Sequence, residues 1–307
     1  MGRIVRGAIG SVLLAVVCGC ATEDPDLVRK LPSVSLKPWR MPFKLGMARY
    51  TMYAVDLDRA LEIMREVDLH DMGLKEGTLD YGAGDAAIAA YRRHLGEYGV
   101  ELVSAGPEYY KTADQVDRLF RFAKRCGFKT VSVVPYEVKP GMEDKWGPAR
   151  RESESMLDAL EACVKKYDIR AAIHNHGPDC PDLYPTAEAI RKRIERRDRR
   201  IGICLDVGHQ LRAGGDPVAA IRKYGDRIYE IHLKNVSAPC KAGHAMQGPR
   251  GVIDIPGVFQ ALLDVGFDGY CLLEYERDYL DNAMGVAESV GYYRGVCEAL
   301  EKKGSGK

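Results

Sequence analysis

The stretch Ile201-Gly202-Ile203-Cys204-Leu205-Asp206-Val207-Gly208-His209 sets the pattern of this chain, because a short apolar run ends abruptly in residues that can hold a metal ion. Three further runs have the same form: Ala171-Ala172-Ile173-His174-Asn175-His176, Ile228-Tyr229-Glu230-Ile231-His232-Leu233-Lys234 and Tyr270-Cys271-Leu272-Leu273-Glu274-Tyr275-Glu276. Apolar runs without clean alternation are typical of parallel strands buried on both faces. Polar residues at successive strand ends are typical of the carboxyl rim of a barrel.

Eight such strands are predicted, at residues 45–48, 68–74, 101–104, 130–134, 171–174, 201–205, 228–232 and 270–273. Amphipathic helices lie between them, for example at residues 86–98, 113–125 and 152–166. Helix starts are predicted at Asp56, Thr112, Ser153, Thr186 and Asp216. Together these repeats predict an α/β fold, a single (β/α)8 TIM barrel. An open doubly wound sheet is disfavoured, because no glycine-rich phosphate loop follows the first strand.

Residues 1–20 have the form of an export signal, in which Arg3 and Arg6 precede a short apolar stretch. Val17-Cys18-Gly19-Cys20 is similar to a bacterial lipobox, so Cys20 is the predicted lipidation site. Residues 21–42 would form a tether, and residues 43–303 a TIM-barrel catalytic domain. The sequence therefore predicts a lipid-anchored protein on the periplasmic side of the cell envelope. A soluble export signal and a different start site are the alternatives.

The composition excludes several classes of protein. The chain has 307 residues, 46% of them hydrophobic, which suffices for one large domain. A formal net charge of +1 argues against nucleic acid as a partner. Nine cysteines, two of them in the export signal, lack regular spacing, which argues against a disulfide framework. The predicted partner is a small molecule, membrane contact would be through the lipid anchor alone, and the oligomeric state is open.

Four strand ends each supply one predicted metal ligand: His174, Asp206, His232 and Glu274. Because parallel barrel strands run in the same direction, residues far apart in sequence can share one ion at their carboxyl ends. Histidine together with carboxylates suits a divalent transition metal, so Mn, Co or Zn is predicted. His176 is an alternative to His174, since residues i and i+2 of an extended segment share a face.

Other residues near the same rim are predicted to take part in the chemistry. Glu137 follows the fourth strand and is a candidate acid or base, as is His176. Lys234 lies two residues beyond His232, where its ammonium could neutralise a developing oxyanion or pair with a carboxylate. The predicted contacts to substrate are Tyr50, Lys75 and His209, the last of which could instead contact a ligand carboxylate. For each of them an ordinary loop residue is the alternative.

Five motifs, taken in order, resemble the sugar phosphate isomerase/epimerase group of xylose isomerase-like barrels, across roughly residues 44–300. They are His174-Asn175-His176-Gly177-Pro178, Asp206-Val207-Gly208-His209, His232-Leu233-Lys234-Asn235, Arg250-Gly251-Val252-Ile253-Asp254 and Leu273-Glu274-Tyr275-Glu276. The resemblance implies one divalent metal and a keto or aldo sugar substrate, and it adds Arg250 to the predicted substrate contacts. Two positions differ: His174 stands where many members have a Glu that serves as ligand and base, and Asn235 where an Asp is common.

The resulting hypothesis is a metal-dependent sugar isomerase or epimerase, in which the metal binds two adjacent oxygens of a keto sugar and stabilises an enediolate. Glu274 would take the α-proton, with Glu137 or His176 as alternatives. Elimination from the same enediolate would instead make the protein a lyase or hydratase of keto-glycosides. Two rivals come from other classes: a non-catalytic, lipid-anchored carbohydrate-binding protein, and a three-metal apurinic-site endonuclease, which the near-zero net charge disfavours.

Overall fold

The predicted strands form one sheet in the computed structural model, which describes residues 39–75, 77–135, 146–178 and 183–304, without the side chains of residues 146–150. The strands are β1 Lys44–Ala48, β2 Asp71–Leu74, β3 Glu101–Ala105, β4 Glu108–Tyr110, β5 Thr130–Pro135, β6 Arg170–His174, β7 Ile201–Asp206, β8 Ile228–Leu233, β9 Asn235–Val236, β10 Ala245–Met246 and β11 Tyr270–Leu273. The sheet order is β3-β2-β1-β11-β8-β7-β6-β5-β4, and its pairings are parallel. β9 and β10 form a separate short antiparallel pair.

The third strand lies where residues 101–104 predict it, but the chain continues into a second short strand, and this split of the third strand position nearly closes the barrel. β3 pairs with β2, whereas β4, which follows after Gly106-Pro107, pairs with β5. The two ends of the sheet order are therefore consecutive segments of the chain, and the predicted (β/α)8 barrel is confirmed. The second strand begins at Asp71 rather than at residue 68, where Asp68 adopts a left-handed φ of 56° that interrupts extended backbone.

Helices alternate with the strands, as predicted. They are α1 Leu57–Glu66, α2 Asp85–Glu97, α3 Ala113–Cys126, α4 Trp146–Tyr167, α5 Ala187–Arg193, α6 Val207–Arg212, α7 Pro217–Tyr224, α8 Ile255–Asp264 and α9 Ala283–Gly304. Four predicted helix starts are confirmed, because each of these side chains accepts a hydrogen bond from a backbone N–H of the first turn: Asp56, Thr112, Thr186 and Asp216.

The fifth predicted helix start, Ser153, is wrong. Ser153 lies inside α4, which begins at Trp146. Its buried hydroxyl donates to the carbonyl of Pro135 at 3.3 Å and shares a hydrogen bond of 2.5 Å with the hydroxyl of Tyr184. The side chain thus links the helix to the end of β5 and to the loop after β6, and it caps no helix.

The barrel unit begins at Trp39, so residues 39–42 of the predicted tether belong to it. Met41 is buried in the core, and the Trp39 ring packs edge-on against Phe43. The export signal, Cys20, the remainder of the tether and Glu137 lie outside the described residues and stay predictions. Within the described ranges, no helix combines the length and the apolar character that a bilayer span requires.

Replacing Gly106 by Ala is expected to destabilise the barrel at the split strand. Gly106 has φ +118°, which L side chains rarely adopt, and a Cβ there would overlap the carbonyl oxygen of Ser132 on β5. We expect the free energy of unfolding to fall by about 3 kcal/mol or more, because strain and overlap act together. The measurement is urea unfolding.

Gly127→Ala is the matched control for this substitution. Gly127 also has a positive φ, +73°, yet nothing lies within 4 Å of its Cβ position. It ends α3, so only the conformational cost of about 1 kcal/mol is expected. Equal losses in the two variants would contradict the packing described at Gly106.

Candidate metal centre at the carboxyl rim

Four neighbouring strands bring the predicted metal ligands together. His174 ends β6, Asp206 ends β7, His232 is next to last in β8, and Glu274 directly follows β11. Because β11, β8, β7 and β6 are consecutive in the sheet, their carboxyl ends are adjacent. One donor atom from each side chain lies within 4.8 Å of the other three, and all four residues are buried. The structure therefore assembles the complete predicted set.

The distances within this set are close to those of a shared ion. His174 Nε2 lies 3.7 Å from Asp206 Oδ2 and 3.6 Å from Glu274 Oε2. Donors bound at about 2.1 Å to one tetrahedral ion lie roughly 3.4 Å apart. His232 Nδ1 makes a hydrogen bond of 2.5 Å to Glu274 Oε2, which an ion between the two would have to replace.

Unpartnered buried atoms provide an independent test of whether a metal fits here. Both ring nitrogens of His174 and Oδ2 of Asp206 are buried and lack a hydrogen-bond partner among the described residues. A buried polar atom left unpaired costs about 1–3 kcal/mol, so such atoms usually have a partner. Two imidazoles and two carboxylates suit Zn, Co or Mn. The residues present fit a single divalent transition metal.

Lys234 places a buried positive charge among the carboxylates of the site. Its Nζ lies 3.5 Å from Asp206 Oδ2 and 3.6 Å from Glu274 Oε1, and it donates a hydrogen bond to Glu276. Burial alone would lower the pKa of Lys234, but Glu274, Glu276 and Asp206 raise it well above its ordinary value. Burial would likewise raise the pKa of Glu274, yet Lys234 and His232 hold it well below its ordinary value. The ammonium and the carboxylates thus remain charged together.

The alternative ligand His176 lies beside the cluster but is not part of it. Its ring centre is 6.1 Å from that of His174, and it contributes no atom to the set of converging donors. Burial, followed by the charge of His174, lowers the pKa of His176 to about 4, so its imidazole is neutral. The geometry favours His174 as the ligand and leaves His176 on the pocket wall.

His209 touches a ligand carboxylate rather than adding a fifth donor. Its backbone N–H donates to Asp206 Oδ1 at 2.7 Å, as the first turn of α6 begins at that carboxylate. Its Nε2 lies 3.3 Å from Lys234 Nζ and 3.9 Å from Asp206 Oδ2. Of the two predicted possibilities for His209, the structure shows the contact with Asp206.

A cavity of about 90 Å³ opens onto the cluster. Its walls include the predicted substrate contacts Tyr50 and Lys75, together with Tyr109 and Glu276, which the sequence reasoning did not select as site residues. The Lys75 ammonium donates to Glu108 Oε2 at 2.8 Å and to the carbonyl of Pro107 at 2.7 Å, so it is held against the wall.

Arg250, the remaining predicted substrate contact, does not line this cavity. Its side chain is 63% exposed, and its Nε donates to Glu288 of α9 at 2.7 Å. The predicted role in substrate binding does not fit this position, because the guanidinium is held on the helix surface.

Glu230 is a residue of the site that the sequence reasoning missed. It is buried, and its Oε1 lies 3.2 Å from Nε2 of His232, two residues further along β8. A proton on Nε2, shared with the Glu230 carboxylate, leaves Nδ1 of His232 unprotonated and able to bind the metal. The i, i+2 spacing on one strand could have revealed this, since such residues share a face.

Replacing Glu230 by Gln is expected to weaken metal binding about tenfold although it removes no ligand, because the amide is a weaker acceptor for the His232 ring than the carboxylate. Metal affinity would be measured by competition with a chromophoric chelator. Glu101→Gln, at the exposed start of β3, is the control and should leave the affinity unchanged. If both variants bind metal as the parent does, Glu230 does not orient His232.

The fold and the cluster define a (β/α)8 barrel with a candidate metal centre of two histidines and two carboxylates at its carboxyl rim. The xylose isomerase-like TIM barrel family matches residues 70–296, and the chain belongs to that family. The family resemblance that the five motifs indicate is therefore confirmed.

Comparison with known proteins finds one group of relatives by sequence and several solved structures with the same fold. The chain is 27% identical to inosose dehydratase of Lacticaseibacillus casei over 243 residues, 69% of this chain and 74% of that protein. Two solved structures share the fold. The IOLI protein with a bound zinc atom has a TM-score of 0.64 and 16% identity, over 85% of this chain and 99% of that one. The 3-keto-D-glucoside 4-epimerase from E. coli has a TM-score of 0.68 and 15% identity, over 82% of this chain and 99% of that one. The sequence relative is thus named as a dehydratase, and one of the two structures with the same fold is named as an epimerase.

Proposed function

We propose that this protein is a metal-dependent enzyme that removes the proton next to the ketone of a ring-shaped sugar or polyol and then eliminates an oxygen substituent from the neighbouring carbon. The observation that carries the proposal is the convergence of four buried donors, two of which, His174 and Glu274, also line the cavity. The proposed metal is Mn, Co or Zn. Export and lipid attachment at Cys20, which favour an unphosphorylated substrate, are part of the proposal and rest on the sequence alone.

A bound divalent ion would polarise the substrate carbonyl and stabilise the charge that develops on its oxygen. Glu274 is the proposed proton acceptor, since its carboxylate reaches both the donor cluster and the cavity. Lys234, 3.6 Å from Glu274 Oε1, holds that carboxylate in place and adds positive charge beside the developing oxyanion. The electrons of the broken C–H bond form a double bond, and the C–O bond of the neighbouring carbon breaks. That oxygen takes the proton from Glu274 and leaves as water or alcohol.

His174 favours elimination over inversion at carbon. Inversion needs a proton acceptor and a proton donor on opposite faces of the substrate, whereas elimination needs one base for the C–H proton. A His174 nitrogen that binds the ion is not free to accept a proton. Glu274 can bind the ion through Oε2, which lies 3.6 Å from His174 Nε2, and keep Oε1 for the proton, so it is the one base among the two donors that line the cavity. The similarity to inosose dehydratases supports the same choice.

Isomerisation or epimerisation is the second candidate, and the position of His176 favours it. This imidazole lies on the cavity wall beside His174, where it could return the proton to a different carbon or to the other face. Both candidates begin with the same removal of an α-proton.

The test uses the purified protein, loaded in turn with Mn²⁺, Co²⁺ and Zn²⁺, in deuterated water with an inosose and with a methyl 3-keto-glucoside. We expect NMR to show replacement of the α-proton by deuterium, and ultraviolet absorption to show the conjugated ketone that elimination produces. Exchange without a conjugated product would assign the second candidate. A metal-free protein that takes up none of the three ions and exchanges no proton would contradict both.

Variants at two glutamates sharpen this experiment. Glu274→Gln should abolish exchange, while Glu188→Gln, an exposed position on α5, should leave it unchanged. Metal content is measured on both proteins, because loss of exchange in a Glu274→Gln protein that still holds metal separates the loss of the base from the loss of the ion.

A further inference from the structure

Three tyrosines, Tyr50, Tyr53 and Tyr279, form a continuous row of rings that begins at the cavity. Tyr50 lines the cavity together with Glu274. Its ring stacks on that of Tyr53, with centres 5.1 Å apart and planes at 18°. Tyr53 in turn meets Tyr279 edge-on at 4.9 Å. We call these three residues the tyrosine platform, and it leads outward from the candidate metal centre.

The outer part of the platform is exposed apolar surface. The side chain of Tyr53, on the segment after β1, is 53% exposed. On the segment after β11, Leu280 directly follows Tyr279 and Met284 lies in the first turn of α9, and they are 89% and 87% exposed. Three of the four large hydrophobic side chains that are most exposed among the described residues therefore belong to these two segments. Exposed apolar patches next to a pocket are typical of binding surfaces.

The two segments that carry the platform are held together by buried hydrogen bonds. The Thr51 hydroxyl donates to the carbonyl of Leu273 at 2.8 Å and accepts from the N–H of Tyr275 at 3.1 Å. The side-chain amide of Asn282, also buried, donates to the carbonyl of Thr51 at 2.5 Å. The two segments are thus fixed relative to β11, which Glu274 directly follows, so the position of the platform beside the cavity is set by the fold.

The size of the cavity indicates what the platform binds. At about 90 Å³ it is far smaller than the 300–1,000 Å³ or so of pockets that enclose a whole ligand. A second ring attached to the reacting ring would therefore lie over the rim, outside the cavity. The C–H face of a pyranose is apolar and packs on tyrosine rings, while its hydroxyls find polar groups at the edge, where Glu276 lines the cavity and Arg277 is 42% exposed.

We propose that the tyrosine platform is a second subsite that binds the leaving sugar of a two-ring keto-glycoside. This inference rests on the proposed function and specifies its substrate class. In a 3-keto-glycoside the proton on C2 goes to Glu274, its electrons form the C1–C2 double bond, and the C1–O bond breaks. The glycosidic oxygen takes that proton from Glu274 and departs as the free second sugar, which the platform holds.

The test compares two probes on the Zn²⁺-loaded protein: methyl 3-keto-β-D-glucoside, with one ring, and 3-keto-cellobiose oxidised in its non-reducing ring. Calorimetry should show at least tenfold tighter binding of the disaccharide. Tyr53→Ala should lower disaccharide affinity about tenfold and leave that of the methyl glycoside within twofold. Tyr279→Ala is the second variant, and Tyr224→Ala, at the end of α7, is the matched control that should change neither.

Unchanged disaccharide affinity in both platform variants would overturn the subsite. It would also be overturned if sedimentation showed that Tyr53→Ala converts an oligomer to a monomer while both affinities stay the same, since the platform would then be an interface between copies. If the protein exchanges the α-proton of the methyl glycoside but binds the disaccharide no more tightly than the methyl glycoside, the subsite is excluded and the proposed function stands. Absence of both exchange and binding with either probe removes both.

Discussion

Replacing Asp206 by Asn is expected to raise the dissociation constant for Co²⁺ or Zn²⁺ more than about 100-fold, because it removes the negative charge of a metal ligand. Replacing a residue that only hydrogen-bonds to a ligand typically lowers metal affinity about 10–100-fold. Oδ2 of Asp206 faces His174 Nε2 at 3.7 Å and Lys234 Nζ at 3.5 Å, and it has no hydrogen-bond partner among the described residues. Oδ1 accepts from the N–H of His209, a bond that the Asn oxygen can keep. Metal content after dialysis and affinity by chelator competition measure the effect.

Asp216→Asn is the control for this prediction, since Asp216 also begins a helix. Its Oδ1 accepts from the N–H groups of Val218 and Ala219 at the start of α7, at an exposed position. Both variants keep a capping oxygen, so the start of each helix is preserved in both. Asp216→Asn should bind metal as the parent does, and an equal affinity in Asp206→Asn would exclude Asp206 as a ligand.

Replacing His174 by Ala is expected to abolish stoichiometric metal binding, while His176→Ala should change metal affinity less than about threefold. His174 Nε2 lies 3.7 and 3.6 Å from the two carboxylates of the cluster, so its removal leaves three donors for the ion. His176 contributes no atom to that cluster. The two substitutions remove the same side chain two residues apart, so each serves as the control for the other.

Titration of both proteins with Co²⁺, followed by the visible absorption of the bound ion, separates the two histidines. Loss of the absorption in His174→Ala with retention in His176→Ala supports the described centre. The reverse pattern would mean that the loop after β6 turns His176 into the ligand position, and it would contradict the arrangement at the end of that strand.

Much of the fold could be predicted because burial leaves a direct mark on the sequence. The β7 run of apolar residues that ends at Asp206 has the form that a strand buried on both faces requires, and the runs of β6, β8 and β11 share it. The split of the third strand could not be predicted, since pairing of β3 with β2 and of β4 with β5 depends on contacts distant in sequence. The predicted helix start at Ser153 is wrong because a serine is equally suited to a helix start and to a buried hydrogen bond.

The convergence of the site followed from topology, but its details did not. Parallel strands bring their ends to one rim, so the meeting of His174, Asp206, His232 and Glu274 could be predicted. The choice between His174 and His176 could not, because it depends on where β6 stops, which is at His174. Arg250 was expected at the substrate from its motif alone, and the ion pair with Glu288 that holds it elsewhere leaves no local pattern.

The most direct test is a crystal structure of the protein grown with Zn²⁺ and measured at the zinc absorption edge. The account predicts one anomalous peak per chain, about 2.0–2.2 Å from donor atoms of His174, Asp206, His232 and Glu274. A zinc-saturated crystal with no peak at that position, or with the ion held by other side chains, would contradict it.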